Sequence, residues 1–555
     1  MQATFATHAV DNQPPPPGPF DLWADDLGLR EAVAREGGDG FSARLATYGA
    51  LAGGELLRLA DDAHRDRPRL KTHDAYGRRL DRVEFNAAWH AVMDAAIAHG
   101  VAGLSWAQSL SLAQPLSGAQ PLPGAHVARA ALSYLHYQAE PGSSCPLTMT
   151  HAAVPVLRQA PALREWADKA CAFDYDGRDV PMAHKRGITL GMGMTEKQGG
   201  SDVRANTTRA TPLGADGEYE LIGHKWFFSA PMSDAFLVLA QAPGGLSCFL
   251  LPRWRPDGGK NALRLMRLKD KLGDWSNASS EVEFEGAWAH RIGEEGRGVA
   301  TILQMVMLTR LDCMLGSAGL MRMALRQALH HARHRSAFGR RLIEQPLMRS
   351  VLADLALESE AATALALRVA GAVDRAPHDP RDAALARIAT AIGKYWICKR
   401  APGFVNEAQE CLGGIGYIEE TLLPRLYRQA PLNSIWEGCG NIQCLDVLRA
   451  LAREPETGEA LRAEWQAAAG IDAQFDAALR AGLAMLDAGV DEAGARAFVE
   501  RLALLLQGAT LLRARHPLTH DWCAARLDEA RAATYGGLPA GIDADAALAR
   551  VAAFA

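Results

Sequence analysis

Apolar positions from about residue 21 to 185 recur at helical spacing in a background rich in Ala, Leu, Arg and Asp. Breaks fall at Gln114-Pro115 and at Pro121-Leu122-Pro123. This predicts a helical N-terminal domain over 1–186. An arm heads it in which Pro14 to Pro17 favour stiff polyproline II. Near Gly187 the pattern changes to short apolar runs with dense turn signals. Asp216-Gly217 precedes Tyr219 to Ile222, Pro243-Gly244-Gly245 separates Ala235–Ala240 from Cys248–Leu251, and Val282-Glu283-Phe284 alternates. Strands so closely spaced leave no room for helices between them, which predicts a central β domain over 187–295. Long helical patterns then return over 296–455, interrupted by glycines at Gly413 to Gly416 and Gly438 to Gly440. A further alanine-rich helical domain is expected over 456–555. The order α, β, α, extra α places the chain in the α+β class, with no internal repeat of 20–50 residues.

Composition narrows the function. The 555 residues are 48% hydrophobic and 22% charged with a formal charge of −5, which is ordinary globular usage. A whole-molecule basic field for nucleic acid or anionic membrane is absent. No uninterrupted apolar run reaches about 18 residues, so no membrane helix and no membrane partner are expected. The opening residues lack the charged and apolar regions of a secretory signal. The 9 cysteines are odd in number and none is spaced as CxxC. A reducing, cytoplasmic setting is therefore expected, with neither a disulfide framework nor a metal site.

Four segments carry candidate chemistry. Met194-Thr195-Glu196-Lys197-Gln198-Gly199-Gly200-Ser201 offers hydroxyls, free N–H groups and small residues that let a ligand approach the backbone; a plain surface turn is the alternative. His224 to Ser229 sets three aromatics before a hydroxyl, suited either to walling a flat ring or to a strand packed on both faces. Cys313 to Ile343 holds 6 arginines, 3 histidines and no acid, suited to a pyrophosphate or to a solvated helix face. Glu437 stands between Ile435-Trp436 and a helix start. An apolar frame there would raise its pKa and make it a general base, whereas in an exposed turn it would be ordinary.

The ordered series MTEKQGGSD, WFFS, TRLDCMLGSAGL, HRSAFG, ECLGGIGYIEE and LYRQAPLNSIWEGCGNIQ resembles the acyl-CoA dehydrogenase superfamily of flavoproteins. DAYGRRLDRVEFNAAWH, GMGMTEKQGGSDV and GHKWFFSAPMSDAFLVLAQ, with the extra C-terminal helical segment, are similar to its AidB family of adaptive alkylation-response proteins. The resemblance implies an N-terminal helical domain, a β-barrel or sandwich, a helical bundle and an additional helical domain. It implies non-covalent FAD in a homotetramer. Met192, Gly193, Met194, Thr195, Gly200 and Ser201 should line the cofactor, Phe227, Phe228 and Ser229 should wall its ring beside Trp226, and Ile435, Trp436 and Asn441 should close over it. Arg335 should reach the cofactor of a neighbouring subunit. Glu437 sits at the usual base position; the alternative base position of some members is Thr309 here, which cannot serve.

Departures from the family pattern matter. Lys197, Gln198 and Gly199 replace the usual Pro-Gly-Ala, and the bulk of Trp436 should narrow the acyl pocket. Both changes weaken a claim to ordinary acyl-CoA substrates; the AidB resemblance implies weak acyl-CoA dehydrogenase activity of isovaleryl-CoA type. The AidB resemblance also implies double-stranded DNA as a partner, with a role in disarming alkylating agents. Yet from Glu456 onward there are 14 acidic residues against 9 arginines and no lysine. DNA contact would need Arg501, Arg513, Arg515, Arg526 and Arg531, with part of 313–343, gathered into one patch. An ordinary metabolic acyl-CoA dehydrogenase, an oxidase of small electrophiles such as nitroalkanes, and a non-catalytic flavoprotein are the competing readings.

Overall fold

The structure is a computed structural model and describes residues 7–106, 121–528 and 531–554. The Gln114-Pro115 break lies outside the described residues. The N-terminal region carries α1 (Leu27–Arg35), α2 (Ser42–Leu51), α3 (Leu57–Arg65), then β1 (Arg69–His73) and β2 (Arg79–Glu84), followed by α4 (Ala87–His99), α5 (Ala125–Ala139), α6 (Ser144–Leu157) and α7 (Arg164–Ala170). The β1–β2 hairpin departs from the all-helical expectation for this stretch. Asp74 forms its turn by accepting from Tyr76 and Arg78 N–H at 2.8 and 2.9 Å, and Gly77 takes φ +77°. The hairpin is tied to the β domain where Asp81 accepts from Leu265 N–H.

The β domain comprises β3 (Leu190–Gly193), β4 (Arg209–Pro212), β5 (Glu218–Ser229), β6 (Ala235–Ala242), β7 (Gly245–Pro252), β8 (Leu263–Leu268) and β9 (Ser279–Ile292). Strands β6, β4, β5, β9 and β7 pair in sequence, and β7 pairs back to β6, so the sheet closes on itself like a barrel. Its interior holds Phe228, Phe236, Phe249, Phe284 and Val282.

Helix α8 (Gly298–His334) follows, then the short hairpin β10 (Ser336–Ala337) and β11 (Arg340–Arg341), α9 (Pro346–Arg375), α10 (Pro380–Glu410), α11 (Leu423–Gln429) and α12 (Gly440–Arg453). By length and composition α8 could cross a membrane, with one 18-residue window at mean hydropathy 1.4. Its interspersed charges hid this from a search for an unbroken apolar run. It is instead the central bundle helix, packed by α5, α6, α9 and α10. Its charged residues are paired inside the bundle: Asp312 with Arg129, Arg322 with Asp26 and Glu360, and Arg326 with Asp25. The chain continues in α13 (Pro455–Gln466), α14 (Ala473–Ala488), α15 (Ala495–Arg513), α16 (Thr519–Arg526) and α17 (Ala544–Arg550). Trp465, Phe475, Phe498 and Trp522 of these helices join the same core as the bundle.

Candidate functional site

The glycine-rich loop after β3 rests on one buried ion pair. Glu196 lies 2.8 Å from Lys225 of β5, and both are fully buried. Glu196 also accepts from the Thr207 and Thr208 backbone N–H groups, and Lys225 donates to Leu239 O at 2.7 Å. Burial alone would raise the Glu196 carboxyl, but Lys225 and the backbone donors outweigh it and hold the group well below the usual carboxylate range. With the charge pair beneath, Lys197 to Ser201 stay at the surface, including Gly200 and Ser201. Thr195 O accepts from Trp226 N–H at 2.9 Å, tying the loop to β5, and a Cβ at Gly200 would collide with the Thr195 hydroxyl.

The WFFS segment spans a register shift in β5 between Lys225 and Phe228, which turns both of these inward and leaves Trp226 and Phe227 under Lys269. Phe228 points into the barrel, fully buried, with its ring 4.2 Å from that of Phe236. It does not present its ring to the cleft as expected; it fills the space above Gly193, where a Cβ would strike its ring. Phe227 points out and is 54% exposed. Lys269 lies 3.4 Å over the Trp226 ring and 4.6 Å from that of Phe227. Ser229 Oγ accepts from Asn277 Nδ2 at 3.0 Å and from the Cys145 thiol of α6 at 3.3 Å. Asn277 Oδ1 is buried without a partner. The partly exposed Ser229 hydroxyl beside the half-exposed Phe227 and Trp226 rings fits the edge and face of a flat ring such as a flavin's.

Glu437 stands on the helical side, near enough for its charge to act on Cys145, the thiol bonded to Ser229. Its carboxylate accepts from the Thr309 hydroxyl of α8 at 2.7 Å. Its carbonyl accepts from Arg310 Nε and Gln443 Nε2, both at 3.0 Å, and Lys394 Nζ donates to Gly438 O at 2.8 Å. These donors hold Glu437 at φ +59°, the left-handed region that non-glycine residues seldom adopt. Burial pushes the Glu437 carboxyl above its ordinary value; the Thr309 hydroxyl, Lys394 and Arg310 recover part of the shift. Trp436 Nε1 donates to Asn433 Oδ1 at 2.9 Å. The Trp436 ring packs into the cluster that holds Met192, Cys145, Met149, Met305 and Leu308, with Met194 at its margin.

Met192, Met194, Cys145 and Trp436 thus share one cluster where barrel meets bundle, Ser229 joins it through Cys145, and Glu437 follows Trp436 in the chain. Ile435 is 62% exposed beside it. Other expected residues lie elsewhere. Arg335 ends α8 and donates to Asn12 O of the proline-rich arm at 2.6 Å. Asn441 is exposed and accepts from Arg496 Nε of α15 at 2.8 Å, turned from Glu437. The C-terminal arginines do not form one open patch. Arg526 is buried between Asp354 and Glu358 of α9, Arg513 pairs with Glu464 at 2.5 Å, and Arg531 pairs with Glu500. Arg501 and Arg515 have no ion pair among the described residues. Sequence reasoning passed over Glu196–Lys225, although opposite charges in two neighbouring motifs were the signal. It set Thr309 aside as a base without seeing it as the partner of one. Nothing in the sequence marked Asn277 or Lys394.

Residues 12–177 match the adaptive response protein AidB N-terminal domain, 191–287 the acyl-CoA dehydrogenase middle domain and 296–452 the acyl-CoA dehydrogenase C-terminal domain. The chain is 49% identical over 528 residues to the acyl-CoA dehydrogenase AidB of Escherichia coli (strain K12), covering 94% of this chain and 95% of that protein. It is 32% identical over 425 residues to acyl-CoA dehydrogenase family member 11 of Caenorhabditis elegans, covering 74% and 67%. The crystal structure of Caenorhabditis elegans ACDH-11 in complex with C11-CoA superposes with a TM-score of 0.82 at 26% identity, over 94% of this chain and 92% of that one. By fold, by cleft and by these likenesses the chain belongs to the AidB family within the FAD-dependent acyl-CoA dehydrogenase type of oxidoreductases.

Proposed function

We propose that this protein binds FAD in the cleft between barrel and bundle and acts on acyl-CoA thioesters with Glu437 as the base. The observation that carries the reading is the Glu437 carboxyl, raised by burial, held through its backbone by Arg310 and Gln443, and near enough to Cys145, the thiol bonded to Ser229, for its charge to act there. Met192, Gly193, Met194, Thr195, Gly200 and Ser201 would hold the cofactor from the β3 side, with Trp226, Phe227 and Ser229 along the ring and Ile435 and Trp436 opposite. Bound FAD would accept hydride from the acyl β-carbon. Glu437 takes the α-proton, so the α–β bond becomes a double bond as the carboxylate becomes a carboxylic acid. Thr309 can then accept from the protonated form with the hydroxyl it used to donate. Trp436 narrows the cleft, which favours short or branched acyl groups and slow turnover.

Arg335 would serve the cofactor of a neighbouring subunit in a homotetramer. The exposed apolar residues Phe338, Leu347 and Tyr417 (99%, 85% and 80% exposed) are the surface such an assembly would cover. The cellular setting that accords with the buried free thiols is the cytoplasm. The same division of labour gives the domain boundaries 1–186, 187–295, 296–455 and 456–555. The test is the visible spectrum of the purified protein and its anaerobic bleaching by isovaleryl-CoA, longer acyl-CoAs and nitroalkanes. A colourless protein with no melting shift on adding FAD overturns the reading.

A second function rests on the arginines the ion pairs leave over. We propose weak, sequence-independent binding of double-stranded DNA through Arg501 and Arg515, joined by Arg340 and Arg341, which are exposed on β11. Gel retardation across a salt series tests it. No retardation at low salt overturns the DNA role and leaves the dehydrogenase reading standing.

A further inference from the structure

Beneath the proline-rich arm lies a cavity of about 760 Å³, within the usual size for a small-molecule site. Pro14 to Pro17 roof it, Leu57 of α3 and Leu412 and Leu422 line it, and Trp275 forms part of its wall. The roof is fixed. His330 Nε2 bonds Pro15 O at 2.8 Å, and Asn12 exchanges two side-chain hydrogen bonds with the Ser336 backbone at 2.8 and 2.7 Å.

The polar groups in this apolar wall are lopsided. Arg425 of α11 is 7% exposed and lines the cavity. Among the described residues no carboxylate pairs with it; it donates to Ala139 O at 3.1 Å, and its Nε has no acceptor. Glu140 and Asp61 act on it only from beyond ion-pair distance, and both carboxylates are committed to other partners, Ser143 N–H and Arg65. The acids on the same wall are taken: Asp61 pairs with Arg65 at 2.8 Å and Glu419 with Arg428 at 2.9 Å, while Glu420 is exposed. The Trp275 ring is held by Arg67 at 3.5 Å and Arg428 at 4.2 Å and stacks on His64 at 4.6 Å. Burial and the guanidiniums of Arg425, Arg428, Arg67 and Arg65 hold His64 neutral, with its pKa pulled down to about 3. The Gln327 amide, also on the wall, reaches only the Met323 sulfur among the described residues, at 3.6 Å.

A cavity whose roof and one wall are proline and leucine, and whose polar side holds Arg65, Arg67 and a buried Arg425 with no carboxylate in direct contact, suits a ligand that is apolar at one end and anionic at the other. We infer that this cavity binds an amphipathic anion, a carboxylate or phosphate head on an apolar chain, with Arg425 gripping the head and the arm covering the chain. None of these wall residues is among those named for the Glu437 site, although Arg67 and Trp275 also line a small neighbouring cavity with Lys269 and Asn277; the inference does not rest on the dehydrogenase reading.

Calorimetric titration of the full-length protein tests this with dodecanoate, dodecyl phosphate, dodecanol and inorganic phosphate as probes. One equivalent of an anionic probe should bind per protomer, with dodecanol at least about tenfold weaker, the usual worth of a charged hydrogen bond. Comparing dodecanoate with dodecyl phosphate identifies the preferred head group. Arg425→Gln should bring the anionic probes down to the level of dodecanol, and Arg425→Lys should restore much of the difference. Leu57→Trp, which fills the chamber from α3, should abolish binding of every chain and decides the matter if Arg425→Gln does not fold. The inference fails if neither anionic probe binds. It fails if inorganic phosphate binds as tightly as dodecyl phosphate. It fails too if Leu57→Trp binds as the wild type does, which would place the chain elsewhere.

Discussion

At the level of single residues the chemistry turns on one carboxylate and one hydroxyl. Glu437→Gln keeps the size and the left-handed backbone but removes basicity. It should retain FAD and lower acyl-CoA turnover by about 10²–10⁴-fold, the range for a general base, measured by anaerobic bleaching rates. Burial raises the Glu437 carboxyl, so the limb of kcat/KM that reports the free base should climb at a pH above the ordinary glutamate range. Thr309 acts in the opposite sense because it donates to the ionised form. Thr309→Val should therefore move that limb to still higher pH, while Thr309→Ser leaves it in place; a limb unmoved by Thr309→Val would separate the hydroxyl from the titration. The sequence pointed to Glu437 because an acid between Trp436 and a helix start is unusual. It could not point to Thr309, 128 positions away, because their meeting depends on how α8 packs under the loop.

At the level of elements, the glycine-rich loop keeps its shape through what lies beneath it. Lys225→Met would leave Glu196 buried and unpaired and should cost about 3–5 kcal/mol of stability, read by urea denaturation. The Glu196 carboxyl lies below its ordinary value in the folded state. Its contribution is thus fully present above the ordinary glutamate pKa and is lost as pH falls through the folded value. The variant should therefore lose the acid-side fall in stability that the wild type owes to this pair. Strands announced by a turn were legible: Asp216-Gly217 opens β5, and Gly244-Gly245 joins β6 to β7. The hairpin of β1 and β2 was not, since Arg69-Leu70-Lys71-Thr72-His73 has one large apolar residue and owes its strand form to packing against β8. The three aromatics of WFFS looked alike in sequence. Only the register shift in β5 after Lys225 decides that Phe228 goes to the core and Phe227 to the surface.

For the whole molecule, the C-terminal helices are fastened to the bundle by buried charge. Arg526→Ala would leave Asp354 and Glu358 of α9 short of a partner, although Arg400 still bonds Glu358 at 3.0 Å. Faster amide exchange over α16 and a lower melting temperature should follow, with no change in the salt slope of DNA binding. Replacing Arg501 and Arg515 together should instead flatten that slope by about 0.9 for each phosphate no longer neutralised and leave the melting temperature alone. FAD should raise the melting temperature in proportion to the logarithm of its concentration above Kd, because its proposed site joins barrel to bundle. The order of the domains could be read from alternating periodicities. Which arginines remain free could not, because each ion pair is made by helices far apart in the chain.

The backbone of Glu437 has a consequence for laboratory evolution. At φ +59° a glycine would sit without strain, and it would bring no carboxylate to desolvate. A library screened for heat resistance alone should therefore enrich Glu437→Gly, each survivor gaining on the order of 1 kcal/mol while giving up its base. A screen that alternates heat challenge with turnover should keep glutamate, and the gap between the two outcomes measures what this fold concedes to keep a reactive group in place.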